Sequence, residues 1–60
     1  MSVEYQIVQC YDYFLSDAII ELENKIKSLC NDHWEPTGGI SICQDDSHFF
    51  VFQSMIRKPR

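Results

Sequence analysis

The chain opens on an alternating pattern. From Val3 to Tyr11, the side chains Val3, Tyr5, Ile7 and Tyr11 fall on one side of an extended backbone and Glu4, Gln6 and Asp12 on the other. That period of two predicts a strand. Val8 and Cys10 interrupt the polar side, so neither face of this strand is fully hydrophilic. The rhythm then changes: Ile19, Leu22, Ile26 and Leu29 recur at spacings of three and four, which predicts an amphipathic helix lying on a sheet. Asp12 to Leu15 read as the connection, Ser16 as the residue capping the first helical turn, and Leu15 with Ile20 as a hydrophobic staple across it. Glu21 with Lys25 and Glu23 with Lys27 stand one turn apart, acid first, on a solvated face. The helix is expected to end between Cys30 and Asp32, with Asn31 in the left-handed conformation.

Beyond the helix, proline fixes φ at Pro36 and two glycines at Gly38 and Gly39 permit positive φ, so Glu35 to Gly39 read as a turn of special geometry. A second short strand is predicted over Ile40–Cys43, a polar hairpin connection over Gln44–Ser47, and a third strand over His48–Arg57. The third strand is apolar on both sides: Phe50, Phe52 and Ile56 point one way, Phe49, Val51 and Met55 the other. Such a strand belongs in the middle of a sheet. With a helix between strands one and two and a hairpin between two and three, the expected fold is α+β, β-α-β-β. Its three-stranded antiparallel or mixed sheet runs in the order 1-3-2 with one helix on one face, as in half of a ferredoxin-like unit. One helix shields one face, and the other needs a partner.

Composition sharpens that need. Sixty residues form a single domain, 1–60 with a basic tail over 57–60, and a chain this short buries only about 60% of the surface its unfolded form exposes. Disulfides, a metal or a partner subunit commonly supply the missing stability. Cys10, Cys30 and Cys43 are odd in number and widely spaced, which argues against a disulfide framework and for a reducing, cytoplasmic setting. No C-x-x-C or H-x-x-x-H pair occurs, so no metal or other cofactor is expected. A net charge of −4 disfavours nucleic acid, and no apolar run reaches the roughly 20 residues that cross a bilayer.

The stretch His33-Trp34-Glu35-Pro36-Thr37-Gly38-Gly39-Ile40-Ser41, together with the helix before it and Phe52-Gln53-Ser54-Met55-Ile56 after it, resembles DUF1737, a small bacterial and phage family. The resemblance runs from Tyr5 to Arg57, and its specific part is a W-x-P-x-G-G turn. It departs at His33, where the family usually has glycine. It implies a fold and no activity, because the family's function is undefined.

Other constellations have competing readings. Trp34, Pro36, Gly38 and Gly39 have the makings of a ligand site, since amides freed by glycines bind anions and an indole stacks on rings. The structural alternative, Trp34 plugging the core and the glycines turning the chain, takes precedence. The three cysteines with His33 or His48 do not require a nucleophile and base, and packing accounts for them. Asp45 and Asp46 sit at a hairpin tip, where acids are ordinary turn formers. Arg57, Lys58 and Arg60 form a basic end without the RNA-recognition motifs that would make it a nucleic-acid site.

The expectation is therefore a non-enzymatic interaction module that forms a homo-oligomer through the uncovered sheet face. Val8, Cys10, Phe49, Val51 and Met55 are the candidate interface residues, or else Phe50, Phe52 and Ile56. The alternative is a protein binding or sequestering a nucleotide or phosphorylated metabolite at the Trp34–Gly39 turn, and a protein partner or small ligand remains open under either reading.

Overall fold

The structure is a computed structural model that describes residues 2–59; Met1 and Arg60, the last residue of the expected basic tail, lie outside it. Its elements run β1 (Glu4–Asp12), α1 (Leu15–Cys30), β2 (Glu35–Asp45) and β3 (His48–Arg57). The sheet order is β1-β3-β2, and β3 pairs antiparallel with both neighbours. The predicted β-α-β-β fold and strand order are those of the molecule. With Cα extents of 42 × 18 × 13 Å, the molecule is two layers thick, one helix on one sheet.

The register decides which side chains share a face. Gln6 lies opposite Met55, Val8 opposite Gln53 and Cys10 opposite Val51. Directly opposed residues project to the same side. That side meets α1: Val8, Cys10, Val51 and Met55 join Ala18, Leu22 and Trp34 in the buried core, with Leu15, Ile19, Ile26 and Leu29 packed around it. Val51 and Met55 are 0% exposed. Four of the five residues expected at an outer interface are thus the floor beneath the helix, and the fifth, Phe49, continues their row half-buried. The physical reason is clearance. Sheet and helix pack only about 10 Å apart when the side chains between them are compact, and Ala18 over Val8, Cys10 and Val51 satisfies that better than a row of tyrosines.

Local structure departs from expectation at both helix ends. Phe14, extended at φ −109 and ψ 130, is the N-cap, without a side-chain cap, and Ser16 lies inside the helix. Asp12 Oδ1 accepts a hydrogen bond from the Phe14 N–H at 3.4 Å, an Asx-type turn that starts the helix before Ser16 is reached. The earlier start leaves Ile20 exposed, so the staple does not form. At the other end Asn31 is right-handed, at φ −65 and ψ −20, and the left-handed residue is His33 at φ 69. The Trp34 N–H donates to the Leu29 carbonyl at 3.1 Å and the His33 N–H to the Cys30 carbonyl at 3.2 Å. These two bonds make a Schellman exit with His33 in the place glycine usually takes.

The predicted turn at Glu35–Gly39 is instead the first half of β2, an eleven-residue strand broken by a bulge. Thr37 lies opposite Ser54 and Ser41 opposite Phe52, so β2 carries two extra residues across that interval. An even number keeps the face alternation in step on both sides of the bulge. Gly38 takes φ 74 there, which explains a glycine at that position. The hairpin connection shortens to Asp46 and Ser47, with Asp46 at φ 52.

Candidate functional site

The side of the sheet turned away from α1 carries the other parity of each strand. β1 contributes Tyr5, Ile7, Gln9 and Tyr11; β3 contributes His48, Phe50, Phe52, Ser54 and Ile56; β2 contributes Thr37, Ser41 and Cys43. Ile7 is 59% exposed and Tyr11 62%, a large apolar exposure for side chains standing in a row. Between Glu35 at one end of β2 and Asp45 at the other, no side chain on this face is charged.

Aromatic packing organises one end of the face. The Tyr11 ring stacks on Phe50 with centroids 5.7 Å apart and meets His48 at 5.8 Å; Tyr13 packs on His48 at 4.2 Å. At the other end the Tyr5 hydroxyl donates to Ser54 Oγ at 3.0 Å. These contacts fix the rings in place before any partner arrives, which lowers the ordering cost of binding through them. Phe50, Phe52 and Ile56, the second candidate interface set, all lie here and are half-buried by their neighbours.

The expected ligand residues do not share an environment. Trp34 is part of the core, and the Arg57 guanidinium lies 4.7 Å from its ring centroid, so its π-face is occupied by the protein's own cation. Pro36, Gly38 and Gly39 are exposed along β2. The bulge is held from inside by Gln53, 5% exposed, whose Nε2 donates to the carbonyls of Thr37 at 3.2 Å, Gly38 at 3.4 Å and Ser54 at 3.0 Å. Two amide hydrogens serve three acceptors, so the contact is shared. Sequence reasoning cites Gln53 in the family resemblance without giving it a role; a single amide on the otherwise apolar parity of Val51 and Met55 is the signal that points to one.

Arg57 is not a free tail residue either. It ends β3 and bonds the Glu4 carboxylate at 2.8 Å and the Asp32 carboxylate at 3.0 Å, tying the start of β1 to the helix exit. Hydrogen bonding to Arg57 holds the Glu4 carboxyl below its ordinary value, and the same bond raises the Arg57 guanidinium.

Cys10 is buried on the helix side while Cys43 is exposed on the open side, so the sheet separates them; Cys30 is exposed at the helix end. Asp45 closes the hairpin and Asp46 forms its tip. Among the described residues no group of three or more His, Cys, Asp or Glu converges on a point that would hold a metal ion. No helix among them is long and apolar enough to cross a membrane.

No family model, curated protein or solved structure matches the chain.

Proposed function

We propose that this chain is a non-enzymatic interaction module whose working surface is the open sheet face, and that the surface is covered by a second copy of the same chain. The observation that carries the reading is the set Tyr5, Ile7, Tyr11, Phe50, Phe52 and Ile56, which spans β1 and β3 with only the uncharged Gln9 and Ser54 between them. A nucleic-acid platform with similar aromatics needs cations beside them to meet phosphate, and this face has none. A surface with no charge in its middle meets its own image without repulsion, even on a chain of net charge −4. From strand spacing and rise, its flat outline is roughly 400 Å², the size of the largest apolar patch on an ordinary monomer, a patch that often has a function.

The three free cysteines fit a reducing cytoplasmic setting for such a module. Membership of the DUF1737 family belongs to the same proposal, carried by the Trp34 to Gly39 stretch and by Gln53.

Size-exclusion chromatography with light scattering tests it. The wild type is expected at a multiple of the 7.1 kDa chain mass at micromolar concentration, and Phe52→Lys, which sets a charge in the middle of the face, at a smaller one. A monodisperse wild-type monomer defeats the proposal.

A further inference from the structure

The sheet has two edges, and they are not treated alike. The turn between β2 and β3 has two residues, so Asp45 and His48 close it as a hydrogen-bonded pair. Pairing then alternates. Ser41, Cys43 and Asp45 direct their N–H and C=O groups to β3, whereas Ile40, Ile42 and Gln44 direct theirs away from the sheet. The same alternation carried across β3 turns the backbone groups of Gln9 outward from β1, and there Lys25 Nζ reaches over from the helix to the Gln9 carbonyl at 3.3 Å. The β1 edge is thereby partly covered by a charged side chain, a common guard against strand addition.

The first half of β2 is guarded too, by Glu35, Pro36 and the bulge. The second half is not. Ser41-Ile42-Cys43-Gln44 has no charge, no proline and no irregularity, and Ile40, the uncharged last residue of the bulge interval, leads into it. On the helix side the same segment shows Ile40 at 45% and Ile42 at 51% exposure, because α1 lies mainly over β1 and β3 and barely reaches β2.

We propose that Ile40–Gln44 of β2 pairs antiparallel with the same segment of a second copy, about a two-fold axis at Ile42, to make one continuous six-stranded sheet. Ile42 then stands opposite Ile42 of the other copy and Ile40 opposite Gln44, each as a hydrogen-bonded pair. Ser41 stands opposite Cys43 in the non-bonded positions between them. Four isoleucines gather on the helix side, in the gap between the two helices. Asp45 falls opposite Gly39, where a Cβ would meet nothing within 4 Å, so no acid faces an acid. A second copy fits better than an unrelated strand because this register sets every residue of the segment against one of compatible size and none against a like charge.

The pairing uses an edge and leaves the open face free, so it stands on observations separate from the face contact proposed above. Its axis runs perpendicular to the sheet while a face-to-face axis lies within it. Two such isologous contacts close into a tetramer of two stacked six-stranded sheets with helices outside.

The test is Ser41→Cys in a Cys30→Ser background, oxidised with glutathione disulfide and run on non-reducing gels. Non-hydrogen-bonded partners stand about 4.5 Å apart at Cα, inside disulfide range, so the thiol introduced by Ser41→Cys in one copy joins the native Cys43 of the other and dimers form in high yield. Cys30→Ser alone, whose Cys43 residues are diagonal, is expected to give few. Light scattering separates the two contacts: Ile42→Lys is expected to remove edge pairing and leave face dimers, and Phe52→Lys to leave edge dimers that still cross-link. Equal cross-linking with and without Ser41→Cys, or loss of the cross-link in Phe52→Lys, overturns the edge pairing while sparing the face. An unchanged mass for folded Ile42→Lys does the same. An unchanged mass for Phe52→Lys beside a reduced one for Ile42→Lys overturns the face contact and sustains the edge.

Discussion

His33 holds the left-handed position of the helix exit at φ 69, and the cost of that conformation is measurable. For a residue with a Cβ the left-handed region costs roughly 1–2 kcal/mol against the right-handed one, and glycine relieves it. Glycine also loosens the unfolded chain, which returns roughly 0.4–1 kcal/mol. The difference leaves His33→Gly more stable than His33→Ala by about 0.5–1 kcal/mol. Comparing glycine with alanine, rather than with the wild type, matters because both substitutions remove whatever the imidazole contributes, and only the backbone term differs. For a domain of this size about 1 kcal/mol moves the melting temperature by roughly 4–8 °C, so a separation of about 2–8 °C is expected. Thermal unfolding followed by far-UV circular dichroism and Trp34 fluorescence at matched protein concentration reads it directly. If the alanine variant melts at or above the glycine variant, His33 does not carry the backbone strain assigned to it, and the Schellman account of residues 29–34 fails.

Gln53→Leu keeps the volume beneath the bulge but removes the amide that three carbonyls share; a loss of about 1–3 kcal/mol in urea unfolding is expected, with faster amide exchange confined first to Thr37–Ile40. A Gln53→Leu protein as stable as wild type would show that the bulge holds itself. Acid should weaken the Glu4–Arg57 clamp: the Glu4 carboxyl sits below its ordinary 4.5 in the folded chain, so its contribution is complete above that value and is lost as pH falls through the lower folded-state one. Glu4→Gln should therefore flatten this part of the acid limb of stability against pH, and an unaltered limb would remove Glu4 from the account.

The sequence made the framework legible because three periodicities are strong. Alternation in β1, the three-and-four spacing of α1 and the doubly apolar β3 leave few topologies open once connection lengths are considered. Which face the helix covers is not legible in the same way. Both parities of β3 are apolar, and hydrophobicity alone does not choose between Val51 with Met55 and Phe50 with Phe52. Size and polarity of the partners on β1 do choose. Val8 and Cys10 are compact and bury without a polar remainder, whereas each tyrosine carries a hydroxyl that must find a partner or water, so Tyr5 and Tyr11 stay on the side the helix leaves. The Glu35–Gly39 segment misleads for a related reason. Proline and paired glycines usually punctuate, but on an edge strand a proline's missing donor costs no ladder bond and a glycine absorbs a bulge. The helix start escapes the sequence reading because Asp12, two residues before the N-cap, orders the turn that Ser16 is expected to cap.

The core that results is small: among the described residues it holds seven hydrophobic side chains, an alanine and a cysteine among them, and Trp34 is its one aromatic, with the tyrosines and phenylalanines left outside it. On the sheet itself, the open face carries Tyr5, Ile7, Tyr11, Phe50, Phe52 and Ile56, bulkier side chains than the Val8, Cys10 and Val51 that lie beneath the helix. If those aromatics are buried by another copy, folding and association share one free energy, and stability must depend on concentration. For a dimeric contact a tenfold dilution removes about 1.4 kcal/mol per pair, about 0.7 per chain, which lowers the melting temperature by roughly 3–6 °C. Phe52→Lys should reduce that dependence to what the edge pairing alone leaves, where Gln53→Leu should only displace it. A melting temperature constant over a hundredfold dilution would mean that the seven-residue core suffices and that the aromatic face is borne by a solitary chain.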